Sequence, residues 1–258
     1  MYDTGKAVRE ACKSGFNRQT SGLAKGYVQA NLVILPKERA WDFMVFAQRN
    51  PKPCPILEVG EVGSYKSTFL SIGGDIRTDL PRYRVYKYGE MVEETTDLID
   101  LWQDDFVFFL IGCSFSFEEA LLSSGLDIRH ITEDVNVPMY KTSITCSGAG
   151  EFLDTPMVVS MRPFKSQDII KAVSITREYP GVHGAPVHIG NPEVIGINDI
   201  NNPDFGDKVT INPGEVPVFW ACGVTPQMAA MVSKPPLMIT HAPGHMFVGD
   251  LKNYEFKI

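Results

Sequence analysis

Four short apolar segments constrain this chain most: Phe106–Gly112, Met157–Met161, Val216–Cys222 and Leu237–Thr240. Each is shorter than a typical helix and bounded by turn residues, so each reads as a buried strand. Three of them lead through a polar turn into a helix. The clearest pair is Leu110-Ile-Gly-Cys113-Ser-Phe-Ser116-Phe-Glu118-Glu-Ala120 and Phe219-Trp-Ala-Cys222-Gly-Val-Thr225-Pro-Gln227-Met-Ala229. One constant offset superposes Cys113 on Cys222, Ser116 on Thr225, Glu118 on Gln227 and Ala120 on Ala229, the pattern an internal duplication leaves. Ser116 with Glu119 fits a capping box, and Thr225 before Pro226 fits an N-cap followed by proline at the first helical position.

The remaining elements follow from periodicity and breakers. Thr4–Ser14 and Pro36–Gln48 read as helices, the second ended by the proline-rich run Arg49–Pro55. Another helix runs over Gln167–Glu178. Ile56–Val59 reads as a strand, Ser64–Arg77 as a loop, and Arg82–Glu94 as a hairpin turning at Lys87–Gly89. The charged phrase from Asp75 to Asp79 reads as a solvated turn.

A chain of 258 residues with a net charge of −7 can bury a sizeable core and lacks the basic footprint of a nucleic-acid or anionic-membrane binder. The longest purely apolar run, Phe106–Ile111, is far short of the roughly 20 residues that cross a bilayer. Met1–Arg18 has no apolar core of signal-peptide length. Five scattered cysteines without CxxC spacing argue against a disulfide framework or structural zinc. The expectation is a cytoplasmic protein.

A strand running into a helix leaves backbone N–H groups and the positive helix end facing outward, which suits an anion. Two such starts, at Ser114–Ser116 and Gly223–Thr225, would suit a ligand with two carboxylates; the plainer reading is two well-capped helices. Glu118 and Gln227 fall in the first helical turns. Cys113 and Cys222 stand where a helix end would lower a thiol pKa, so the pair could act as acid and base; equally, each could be a small buried hydrophobe. Arg162 ends a strand and could clamp a carboxylate or pair with a structural acid. Four of the five histidines sit in His183-Gly-Ala-Pro-Val-His188 and His241-Ala-Pro-Gly-His245, where they could act as acids, bases or turn-forming groups. The intervening prolines rule out a helical HExxH-type zinc site. No Walker A, GxGxxG, GxSxG or EF-hand pattern supports a nucleotide, lipase-type or calcium-binding reading.

Read as phrases, the chain resembles the D-glutamate cyclase family, whose bacterial members are labelled hydro-lyases of the YcsI type. The resemblance rests on Gly26-Tyr-Val-Gln-Ala-Asn-Leu, Arg49-Asn-Pro-Lys-Pro-Cys-Pro, Asp75-Ile-Arg-Thr-Asp-Leu-Pro and Phe109-Leu-Ile-Gly-Cys-Ser-Phe-Ser-Phe-Glu118. It continues in Val158-Val-Ser-Met-Arg-Pro, His183-Gly-Ala-Pro-Val-His-Ile-Gly, Val216–Gln227 and Ile239-Thr-His-Ala-Pro-Gly-His-Met, covering nearly the whole chain. One departure is Asn191, where the family pattern has aspartate.

The resemblance implies a mixed α/β fold. Residues 1–136 and 213–258 would form a larger, discontinuous three-layer α/β domain, and 137–212 an inserted two-layer α+β module. It also implies a reaction, closure of D-glutamate to 5-oxo-D-proline with loss of water. That reaction needs a base for the amine, an acid for the leaving hydroxide and donors for the oxyanion. The candidates are His183 or His241 as base, and Glu118 or the other histidine as acid. Ser114, Ser116, Gly223, Thr225 and Gln227 would hold the ligand at the helix starts, Arg162 would anchor a carboxylate, and His188 and His245 would complete the binding set. Two alternatives remain open: a racemase or other small-carboxylate lyase using Cys113 and Cys222, and a non-catalytic carboxylate-binding protein. No cofactor is required, although four histidines in Gly/Pro loops leave room for a divalent metal. The expected partner is a small carboxylate, and a homodimer is the expected assembly because C2 dimers are commonest.

Overall fold

The computed structural model describes residues 2–258. In chain order the elements are α1 (Gly5–Lys13), β1 (Tyr27–Pro36), α2 (Lys37–Arg49), β2 (Ile56–Val59), β3 (Tyr83–Lys87), β4 (Glu90–Thr95), β5 (Phe106–Gly112), α3 (Phe115–Ser123) and α4 (Arg129–Thr132). Then come β6 (Met139–Cys146), β7 (Thr155–Lys165), α5 (Ile169–Thr176), β8 (His188–Ile189), β9 (Glu215–Ala221), α6 (Thr225–Ser233), β10 (Met238–His241) and β11 (Phe247–Lys252). Short 3-10 turns include Pro180–Val182, Pro192–Ile195 and Asn253–Phe256.

The fold is mixed α/β with two antiparallel sheets. One has the order β2-β5-β1-β10-β3-β4, with β11 also on β1; the other is β6-β7-β9-β8. Strand β9 lies beyond residue 212 yet belongs to the second sheet.

The apolar runs have a simple cause. Strand β5 is buried at every residue, so it carries no alternation. Strand β1 sends Val28, Ala30, Leu32 and Ile34 into one core and Val33 and Leu35 into another. Strand β9 does the same with Val218 and Trp220 against Phe219 and Ala221. The two sheets therefore share both cores. On α2 the core face is Phe43, Phe46 and Ala47, while Trp41 is exposed.

Two expectations at the helix starts need correction. Helix α3 begins at Phe115 and α6 at Thr225, and neither has a side-chain cap bond. The residues before them, Ser114 and Val224, are already in the right-handed helical region, so Ser116 and Thr225 lie inside the helices. Their hydroxyls turn to neighbouring strands instead. Ser116 Oγ accepts from Gln29 N–H at 2.8 Å, and Thr225 Oγ1 accepts from Val158 N–H at 3.0 Å. Cys113 N–H and Cys222 N–H bond the carbonyls of those same two strand residues, Gln29 and Val158.

The Asp75–Asp79 loop is buried rather than solvated. Asp79 is 1% exposed and faces Arg9 at 3.5 Å and Lys13 at 3.3 Å. Arg9 also holds Asp250 at 2.9 Å, tying α1 to β11.

Candidate functional site

Arg162 projects from the middle of β7 and is completely buried. A buried guanidinium needs a counter-charge and partners for its N–H groups. Its Nε donates to Glu118 Oε1 at 3.0 Å, Nη1 to Ser160 Oγ at 3.1 Å and Nη2 to Ser114 Oγ at 3.0 Å. Nη2 makes a further contact with Glu118. Glu118, on the first turn of α3, also faces His130 Nε2 at 3.1 Å and accepts from Ser21 Oγ at 3.2 Å. Burial by itself would raise its pKa, but His130 and Arg162 outweigh that and hold the carboxyl down at about 2. Glu118 is therefore ionised at neutral pH, and its charge is matched by Arg162. These groups form a closed internal network.

Both thiols beside it are pushed the opposite way from the sequence expectation. Burial raises Cys222 to about 11, and raises Cys113 well above the usual thiol range, outweighing the N–H groups at the helix starts and Arg162. They sit in an apolar cluster with Phe115, Val224 and Met246 and are protonated at neutral pH. Across from them Asn31 donates to the Gly112 carbonyl at 2.7 Å, and a Cβ on Gly223 would fall 2.0 Å from Asn31 Nδ2, so any larger residue there would have to displace the Asn31 amide.

His241 ends β10. Strand β1 pairs β10 at Val33–Ile34 and β11 at Tyr27–Ala30, leaving Leu32 between them. The ring spans that break, with Leu32 N–H donating to Nδ1 at 3.2 Å. Burial pulls its pKa down to about 3, aided by His245 and Arg84. Gln227 supports this corner, donating to the His241 carbonyl at 2.9 Å and accepting from Tyr86 Oη at 3.0 Å.

His183 differs. It follows the Pro180–Val182 turn with φ +82°, a conformation few side chains tolerate. Its Nδ1 lies 2.8 Å from the Lys52 carbonyl oxygen, which can only accept, so Nδ1 carries the proton and Nε2 is the ring's lone-pair nitrogen. Burial lowers its pKa to about 4, and Lys52 and Arg162 add to the effect. His183 lines a surface cleft of about 350 Å³ together with Lys52, Arg177 and Gly184. Gly184 has φ +65°, and a Cβ there would come within 3.9 Å of Lys52 Nζ. Lys52 is half-buried, which lowers its pKa. The cleft joins a neutral imidazole to two cations. Sequence reasoning placed His183 here but missed Lys52 and Arg177; the signal for Lys52 was its place in the phrase Arg49–Pro55.

Two sequence candidates lie elsewhere. His188 Nε2 donates to the Asn191 carbonyl at 2.7 Å, and His245 lines a separate cleft with Arg82 and Arg84. Asn191 caps the Pro192–Ile195 turn, its Oδ1 accepting from Glu193 N–H at 3.1 Å. An aspartate could make that same cap. Among the described residues, no three His, Cys, Asp or Glu side chains converge to hold a metal ion.

The fold and this cleft define a mixed α/β protein with a small, cationic, histidine-bearing surface site. Residues 107–250 match the family model described as D-glutamate cyclase. A "Putative hydro-lyase" of Geobacillus kaustophilus is 59% identical over 93% of this chain and 91% of its own. Proteins of the same name from Stutzerimonas stutzeri and Bacillus licheniformis are 54% and 59% identical, over 98% and 93% of this chain and 95% and 91% of theirs. The chain belongs to the D-glutamate cyclase family. A nitrogen repressor-like protein of Methanococcus jannaschii aligns over 92% of each chain at 11% identity and a TM-score of 0.40, a likeness too distant to argue from.

Proposed function

We propose that this protein is a hydro-lyase that closes D-glutamate to 5-oxo-D-proline, and that the reaction takes place in the His183 cleft. The observation that carries the site is the Lys52 carbonyl, which fixes the His183 tautomer and makes Nε2 the basic nitrogen of a ring that lines the cleft with Lys52 and Arg177. In this reading Lys52 and Arg177 hold the two carboxylates of the substrate. His183 takes a proton from the substrate ammonium, the freed nitrogen attacks the side-chain carboxyl carbon, and a C–N bond forms. The C–O bond then breaks and the departing oxygen leaves as water, taking one proton from Lys52 and the second from the adduct's nitrogen, and the proton held by His183 restores Lys52. A half-buried lysine releases a proton more readily than an exposed one, which suits that role. Glu118 does not fit the acid role, since it is ionised and matched by Arg162.

The test is proton NMR of the protein with D- or L-glutamate in deuterated buffer. The reading requires 5-oxoproline from the D-isomer with its Cα–H retained. His183→Asn suits the left-handed backbone and should keep the bond to the Lys52 carbonyl, yet it removes the ring base. It should abolish turnover while the protein stays folded. Full turnover in this variant would remove His183, and the cleft with it, from the mechanism. Loss of Cα–H without cyclisation would favour racemase chemistry.

A further inference from the structure

A second polar feature, sharing no residue with the His183 cleft, lies beside Glu118. Gln29 on β1 is 3% exposed and Asn253 is 5% exposed. Gln29 Nε2 donates to the carbonyls of Thr20 at 3.0 Å and Leu23 at 3.4 Å, which fixes the amide and turns Oε1 the other way. Gln29 Oε1 and Asn253 Oδ1 are both buried without a protein partner. Both residues line the same small pit, of about 20 Å³, together with Glu118 and Glu119. That volume holds one group the size of a water molecule. Lys25, Gly26, Glu119 and Leu122 line both the pit and a groove of about 490 Å³, so the pit lies at the inner end of the groove. Lys252 lines the groove as well.

The chemistry of this arrangement is one-sided. The unpartnered groups are amide oxygens beside the carboxylate of Glu119, Glu118 being matched by Arg162 and His130, and they call for a compact donor with several N–H bonds. The groove outside carries two lysines, which call for an anion. We propose that the pit binds a primary ammonium group of a small amino acid whose carboxylate reaches Lys25 or Lys252. The site is independent of the cyclase reading.

The test uses β-alanine as the probe, with methylammonium, acetate and potassium chloride as partial ligands. Binding is read by saturation-transfer NMR and by thermal shift on the full chain. β-Alanine should bind saturably and raise the melting temperature, and methylammonium should bind more weakly. Acetate and potassium chloride alone should do neither. Gln29→Met removes the acceptor at similar volume and should weaken β-alanine by about tenfold, the loss of one hydrogen bond to a charged group. Asn253→Asp adds a negative charge to the pit and should tighten binding. His183→Asn should leave it unchanged, so failure of the cyclase reading and failure of this one are separable. If Gln29→Met does not fold, Asn253→Asp decides alone. The proposal falls if no ammonium compound binds, which would leave a pit that holds only water. It also falls if potassium stabilises as well as methylammonium, or if β-alanine binds both variants like the wild type.

Discussion

Arg162 and Glu118 show what a buried charge demands of its surroundings. Glu118 is the counter-charge of Arg162, while Glu118 is held by both His130 and Arg162, and neither member of the pair can be removed without leaving an ion in a dry interior. Glu118→Gln should therefore destabilise the protein by about 3–5 kcal/mol in urea denaturation, the usual cost of breaking a buried pair. Adding Arg162→Met should recover part of that loss; additive losses would mean the two residues are not coupled. The same logic sets the pH profile at His183. With its pKa lowered to about 4, the ring stays a base far below the 6.5 of an ordinary imidazole. The acid limb of kcat/KM should bend near 4, not near 6.5. The alkaline limb should bend below 10.5, because burial lowers Lys52, and in Lys52→Arg that limb should move out of range. Sequence could name Arg162 and Glu118 as candidates, but not that they would neutralise each other, since 44 positions separate them and only the tertiary fold brings the two side chains together.

Among the elements, the two helix starts carry the most testable physics. Ser116 and Thr225 were legible as special residues because each follows a strand end at a matched position. Their cap role was not legible correctly, because a hydroxyl just past a strand can serve its own helix or the neighbouring strand, and local sequence does not say which. Here both serve the strand. Thr225→Val keeps the shape but leaves Val158 N–H without its acceptor in a fully buried place. It should cost about 1–3 kcal/mol, while Thr225→Ser, which keeps the hydroxyl, should cost less. Equal losses in the two variants would show that the methyl packing matters and the hydrogen bond does not. Strand β1 teaches the converse. The sequence reading assigns no element to residues 27–35, because Gln29 and Asn31 interrupt the apolar run. Both are buried polar residues whose amides bond backbone carbonyls, so they interrupt the pattern without interrupting the strand. The run Leu32–Leu35 was the signal that remained.

The whole molecule joins these details through titration. Its two sheets share both cores, so a loss anywhere in the interior is felt by one cooperative unit. Inside that unit three histidines have lowered pKa values: His183 at about 4, His241 at about 3, and His245 below its usual value, each chiefly through burial. A histidine kept neutral in the folded chain takes up its proton more readily once the chain unfolds. The unfolded state therefore binds more protons between the folded pKa and 6.5, and stability must fall as the pH drops through that range. Above 6.5 the contribution of the neutral rings is complete. Glu118 acts in the same direction over a lower range: its stabilising charge is whole above 4.5 and is lost as the pH approaches 2. Acid should thus act in two stages, histidines first and the buried carboxylate after. Stability measured by urea denaturation should hold level from pH 7.5 to about 6.5 and then fall steadily down to 4.5, by an amount on the order of several kcal/mol in total. His183→Asn has no ring to protonate, so its curve should be flatter than that of the wild type over this interval even if its stability at pH 7.5 is lower. A wild-type midpoint that held level down to pH 4.5 would mean the buried rings take up protons as easily in the folded chain as outside it, and the dry, neutral environment assigned to His183 would be wrong.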